Sequence, residues 1–239
     1  MTTDMSDISE NDLKSDGLTS EYAYSGHAVF HILTGVLLSM FIISSAVTLA
    51  LNMRFIYYSD IDRYDLTGAS GLTKEELKED YNELIDYNLV WGDDSLDFPH
   101  FTLSEGAAEH FVEARNIFLF FGWGVFMFGI PVLLGIFIAK KKKYGTAYLM
   151  YAAFITLVLP VILGTACFAA WDKVFILFHE LSFGNDLWLF DPAVDPVIKV
   201  LPDQFFFHEA LAIFGLVVAG GTACLVIRFC TAPRSRCSR

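Results

Sequence analysis

Apolar residues in this chain gather into four long runs, separated by charged or mixed stretches. The first extends from Ala28 to Met53 and holds no acid, lysine or arginine. The second covers Ile117 to Ala139, the third Thr146 to Ala170, and the fourth begins near Phe205 and ends near Ile227. A helix that crosses ~30 Å of hydrocarbon needs about 20 apolar residues. Each run is therefore long enough to span a bilayer with some tilt. Pro131 and Pro160 fall inside the second and third runs, where prolines are tolerated if neighbouring helices satisfy the freed carbonyls. The pattern predicts an all-α membrane protein: a four-helix transmembrane bundle over residues 27–230, with residues 54–116 and 171–204 forming a cap on one face.

The first outer segment has its own helix signals. In Leu72-Thr73-Lys74-Glu75-Glu76-Leu77, Thr73 is placed as an N-cap and Glu76 follows three positions later, a capping box; Leu72 and Leu77 are spaced for a hydrophobic staple. Leu77, Tyr81, Leu84 and Asn88 then recur on one helical face, with acids on the others. This predicts a short amphipathic helix on the bundle or the headgroup layer, ended by the turn Gly92-Asp93-Asp94. Phe98 to Thr102 reads as a short extended piece. Ser104 caps a further helix, with Glu105 in its first turn, and nothing interrupts that helix before the second span. His110 then stands roughly 10 Å above the apolar run. Glu113 shares its face and Arg115 lies nearer the lipid boundary.

The second outer segment, from Trp171 to Gln204, is aromatic and aliphatic between its polar residues. Such a stretch is expected to pack over the bundle at the interface rather than extend into water. His179, Asn185 and Asp195 are then carried into an apolar cap, where each needs a partner.

Charge adds orientation. Lys140 to Lys143 join the second and third runs, and the C-terminal stretch carries Arg228, Arg234, Arg236 and Arg239 without an acid. Positive loops stay cytoplasmic. Both termini are therefore expected inside and the cap outside, in the plasma membrane. Residues 1–26 form a polar, acidic tail expected to be disordered and cytoplasmic, with none of the basic-then-apolar order of a signal peptide. Residues 231–239 form a basic tail. The net charge of −12 lacks the basic face that nucleic acid requires. The four cysteines include no C-x-x-C pair.

Candidate chemistry rests on histidine. His110 and His179 sit on separate outer segments that must converge over one small bundle, and histidine is the side chain best suited to move protons near neutral pH. His208-Glu209 opens the fourth run on the same side and is a further contributor. His27 and His31, four apart, have a metal-compatible spacing without a carboxylate pattern beside it. No H-E-x-x-H or G-x-S-x-G motif is present. The alternative is a non-catalytic membrane protein whose cap binds a partner or lipid through packing histidines. A transporter is less consistent, because the spans lack inward charges.

Three stretches carry a family resemblance: Tyr81-Asn82-Glu83-Leu84-Ile85-Asp86-Tyr87; His110-Phe111-Val112-Glu113-Ala114-Arg115-Asn116-Ile117-Phe118; and Phe178-His179 followed by Phe183, Asn185, Trp188, Pro192, Asp195, Leu201-Pro202 and Phe206. Together they resemble the bacterial lipoprotein intramolecular transacylases, small four-span membrane proteins. Glu113 departs from the aspartate expected there. The resemblance implies migration of an acyl chain from the glycerol sn-2 ester to the N-terminal cysteine amine of a diacylglyceryl lipoprotein. It implies no cofactor, partners that are membrane lipids and diacylated lipoproteins, and a monomer. His110 and His179 are then the catalytic pair, with Glu113 orienting His110. Arg115, Asn185, Trp188, Asp195 and Tyr87 support the pair or contact substrate.

Overall fold

The computed structural model describes the backbone of residues 5–231 and the side chains of residues 27–231. The expectation of a disordered tail over residues 1–26 falls outside the described side chains, and most of the basic tail at 231–239 lies outside the described residues. The helices are α1 (Met5–Leu51), α2 (Phe55–Arg63), α3 (Leu66–Ser70), α4 (Lys74–Tyr87), α5 (Glu105–Lys142), α6 (Tyr148–Phe183) and α7 (Asp203–Thr231), with a 3-10 turn at Pro196–Lys199. Among the described residues there is no strand, so Phe98 to Thr102 is irregular rather than extended pairing.

Among the described residues, four helices are long and apolar enough to cross a membrane: His27–Leu51 within α1, and the whole of α5, α6 and α7. α1 is the hub. It packs against α5, α6 and α7, and α6 packs against α7, whereas α5 is joined to the bundle mainly through α1. Without a hydrophobic drive between helices in lipid, close approach through small residues supplies the packing. A Cβ at Gly35 of α1 would lie 2.5 Å from Tyr151 Cβ on α6, and one at Gly124 of α5 would lie 2.6 Å from Ser44 Oγ on α1. The lysine turn is fastened to α1 by His31, whose Nε2 donates to the Tyr144 carbonyl at 3.1 Å, and by His27, whose ring meets Tyr144 at a tilt at 4.2 Å. The spaced pair His27 and His31 is thus structural. Among the described residues no His, Cys, Asp and Glu group is arranged to hold a metal.

The two outer segments share one core. Tyr57 and Ile61 of α2, Leu77, Tyr81, Leu84 and Ile85 of α4, Phe98, Phe111, Val197, Leu201 and Phe205 are all buried together. Tyr57 and Tyr81 stack at 4.0 Å, and Phe205 meets both edge-on at 5.5 and 5.6 Å. Such pairs add about 0.5–1.5 kcal/mol each beyond burial. Burial raises both phenols above their ordinary pKa. The capping box forms as expected, with Thr73 accepting from Glu76 N–H and the Glu76 side chain accepting from Thr73 N–H. His100 closes the loop after α4 onto Asp80, donating its backbone N–H at 3.0 Å and meeting it through Nδ1 at 3.2 Å. Burial raises the Asp80 carboxyl above the usual carboxylate range despite those partners.

The third span departs from expectation. Helix α6 does not stop at Ala170. It kinks there (φ −159°, ψ 60°) and continues to Phe183. Trp171 Nε1 donates to the Asp203 carbonyl at 3.1 Å and holds the kink against the start of α7. His179 therefore sits on a helical continuation of the third span. Ile176, Leu177, Phe178 and Leu181 on this extension are exposed, forming an apolar outer face.

Candidate active site

Two elements bring the histidines together. Ser104 caps α5 by accepting from Ala107 N–H at 3.1 Å, which sets where His110 falls on the first turns. The α6 extension delivers His179, and Gly184 ends it with φ +64°, a conformation that favours glycine. The two imidazole rings lie 6.0 Å apart. His110 is 8% exposed. Phe183 and Phe190 meet its ring at 4.7 and 5.5 Å, while Phe175 and Trp188 cover His179 at 4.2 and 4.8 Å.

Hydrogen bonding separates the two rings. His179 Nδ1 contacts the Phe175 carbonyl at 2.8 Å. A carbonyl only accepts, so Nδ1 carries the proton and Nε2 of the neutral ring carries the lone pair. His110 Nδ1 is buried without a partner. A buried polar atom left unused is the exception in folded proteins and calls for an explanation.

Glu113 was expected to orient His110. Its Oε1 instead accepts from Asn185 Nδ2 at 2.8 Å, and its Oε2 has no partner. Asn185 also accepts from Leu187 N–H at 3.1 Å, and its carbonyl accepts from Trp188 Nε1 at 2.9 Å. Asn185 thus ties together Glu113 and the indole that covers His179. Asp195 is 5% exposed and accepts twice from Ser104, from the backbone N–H at 2.8 Å and from Oγ at 2.9 Å. It joins the second outer segment to the cap of the helix that carries His110.

Arg115 and Tyr87 belong elsewhere. Arg115 donates to the Tyr87 carbonyl at 2.8 Å, to the Asp93 carbonyl at 3.1 Å and to Asp94 Oδ1 at 3.0 Å, and it lies over the Tyr87 ring at 4.8 Å. Its guanidinium fastens the loop after α4 to α5 and does not bond the histidines. Burial raises the Tyr87 phenol, and Arg115 opposes that shift. His208 is also separate. Its Nδ1 meets Asp60 Oδ2 at 2.7 Å, and Asp60 is fully buried. Arg63 approaches both, at 3.4 Å from Asp60 and 3.3 Å from His208 Nε2. This polar knot fixes α2 to α7.

A groove of about 560 Å³ runs beside the histidine pair. Glu113, Asn116, Ile117, Phe120 and Phe121 line it from α5, and Phe178, Ser182 and Phe183 from α6. The histidine rings do not line it, but Phe183 does, and the same ring meets His110 edge-on at 4.7 Å. Sequence reasoning did not assign this role to Phe183, nor an enclosing role to Phe175 and Phe190. Their signal was the density of aromatic residues around Phe178-His179.

Comparison with known proteins places this geometry. Residues 32–206 match the family described as lipoprotein intramolecular transacylase Lit. A solved structure of Lit from Bacillus cereus is 28% identical, with a TM-score of 0.84 over 90% of this chain and 99% of that one. A second structure of that protein, with a histidine changed to arginine, is 27% identical with a TM-score of 0.80, covering 93% of this chain and 100% of that one. A third, with a histidine changed to alanine, is 26% identical with a TM-score of 0.81, covering 92% and 100%. A comparison with curated proteins finds no match. With the family matched across most of the chain and the fold shared over nine-tenths of it, this four-helix membrane protein belongs to the lipoprotein intramolecular transacylase (Lit) family and is a transacylase.

Proposed function

We propose that the protein moves an acyl chain from the glycerol sn-2 ester to the N-terminal cysteine amine of a diacylglyceryl lipoprotein, with His179 and His110 as the proton-transfer pair. One observation carries this reading: two imidazoles 6.0 Å apart, walled by aromatic rings, at the side of a groove between two membrane helices. Amine and ester belong to one substrate molecule, so the protein's main task is orientation. His179 Nε2 takes a proton from the attacking nitrogen. The nitrogen bonds to the ester carbonyl carbon, the bond from that carbon to the glycerol oxygen breaks, and a histidine returns a proton to that oxygen. The products are an amide and a free hydroxyl. No acyl-enzyme forms, in keeping with the absence of a serine nucleophile motif.

His110, with Nδ1 unused by the protein, polarises the carbonyl or shares the proton. Trp188, through its ring on His179, and Asn185, through Trp188 and Glu113, hold the pair in register. The protein acts as a monomer among bilayer lipids. The lysine turn between α5 and α6 sits at the end of the bundle opposite the cap. Positive loops stay inside, so the termini are cytoplasmic and the histidines face the extracytoplasmic side of the plasma membrane.

The test is transfer on a diacylated lipopeptide by purified protein, read by loss of the reactive amine and by tandem fragmentation, because substrate and product have the same mass. His110→Ala and His179→Ala should each lose about 10²- to 10⁴-fold in rate. Undiminished transfer in both variants refutes the assignment.

A further inference from the structure

Glu113 Oε2 is left unused by its neighbours. The carboxylate is held at Oε1 by Asn185, lines the groove, and has no donor on its second oxygen. A carboxylate only accepts, and a buried one without full pairing is costly. None of the eight residues lining the groove is a lysine, arginine or histidine. Arg115, two positions on, is committed to the loop after α4. Apart from Glu113, Asn116 and Ser182, the groove is lined by apolar side chains: Ile117 and four phenylalanines. It therefore holds one negative group in an apolar cleft and no cation to match it.

The geometry points to Glu113 as the receptor for the substrate's free α-ammonium group, held in the groove between α5 and α6. This rests on the transacylase reading above and adds the residue that selects an unacylated N-terminus. An ammonium offers three donors. One meets Glu113 Oε2, and the Ser182 hydroxyl and Asn116 amide oxygen line the same cleft. His110 precedes Glu113 by three residues on one helix face, so the bound nitrogen lies on the side of α5 that bears the proton-transfer pair. The ammonium gives a proton to a histidine before attack, and that proton goes on to solvent. The proton taken during attack is the one returned to the glycerol oxygen. Transfer turns the cation into a neutral amide. The product then loses its hold on Glu113, so discharge is built into the same contact. A phosphatidylethanolamine headgroup carries the same ammonium and is the competing source.

The test uses the full chain in phosphatidylcholine vesicles, with a diacylglyceryl-cysteine lipopeptide and its N-acetylated form. Glu113→Gln keeps the acceptor for Asn185 and removes the charge. It should raise KM about 10- to 100-fold while the amine is charged, as for loss of a charged hydrogen bond. The defect should fade as pH rises through the α-amino pKa of about 7.7–8.0. Glu113→Asp should recover part of the loss, and the acetylated lipopeptide should inhibit both proteins equally. A defect that stays constant across that pH range, or equal weakening of the acetylated inhibitor, overturns the assignment and makes Glu113 structural. Phosphatidylethanolamine that competes with substrate in the wild type but not in Glu113→Gln makes the headgroup the occupant and overturns it too. Direct lipopeptide binding separates the two readings. Glu113-dependent binding without transfer overturns the reaction and keeps the ammonium site. Transfer without Glu113 dependence does the reverse.

Discussion

Replacing Asp195 by alanine removes both acceptors that hold Ser104, 91 residues away, to the second outer segment. Asp195 is 5% exposed, so water can replace little of what is lost. Hydrogen bonds to charged groups contribute about 1.5–3 kcal/mol each. Part of the loss is recovered because Ser104 Oγ still accepts from Ala107 N–H. The net expected cost is about 3 kcal/mol, at the upper end of ordinary single substitutions. Asp195→Asn keeps one acceptor for the Ser104 N–H and should cost about half as much. Ser104→Ala removes one of the two bonds and the helix cap, the latter worth about 0.5–2 kcal/mol. The two positions share a bond, so the double variant should fall short of the summed losses by about 1–3 kcal/mol. Unfolding in detergent, followed by far-ultraviolet circular dichroism across all four proteins, gives the cycle. Transfer rate should drop with stability, because a displacement of about 1 Å at His110 costs on the order of 10²-fold. Coupling below about 0.5 kcal/mol, the range of independent sites, refutes the staple.

Two further outcomes follow from the site and the cap. Phe183→Ala removes the ring that lines the groove and packs on His110, so water should reach the acyl carbonyl and free fatty acid should appear beside the amide product; chromatography showing full transfer and no fatty acid rejects this role. His208→Ala leaves buried Asp60 with only the 3.4 Å approach of Arg63 and should loosen α2 by about 1.5–3 kcal/mol while transfer persists; hydrogen exchange in α2 no faster than in the wild type contradicts the proposed knot.

Much of the architecture was legible because it is written in local signals. Four apolar runs, a capping box at Thr73 and a cap at Ser104 each declare themselves within a few residues. Helices α2 and α3 did not. Arg54 makes no side-chain cap for α2; Asp65 does cap α3, accepting from Gly68 N–H at 3.3 Å, but α3 is only five residues long, too short for an apolar period to mark it. The kink at Ala170 has no breaker residue; Pro160, the visible candidate, lies ten residues earlier. The histidine pair was readable by topology, since both members had to lie on the same side. The partners of their supports were not. Asn185 with Glu113 and Asp195 with Ser104 are bonds across 72 and 91 residues, and Asp60 claims His208 across 148. Such pairings are set by the final packing of the cap, and spacing along the chain holds no trace of them.

The hub position of α1 has a kinetic consequence. Because α5 reaches the rest of the bundle mainly through α1, little packing closes the cleft between α5 and the α6 extension, and a substrate anchored in lipid is expected to enter it from the side. A lipid-anchored molecule meets such an opening by diffusing in the plane of its leaflet and never passes through water. Saturation is then governed by molecules per unit area of membrane. Diluting vesicles in buffer should leave the rate per protein unchanged, whereas diluting the anchored substrate with inert lipid should lower it. The constant expected from such an assay is a mole fraction of the anchored substrate in its leaflet.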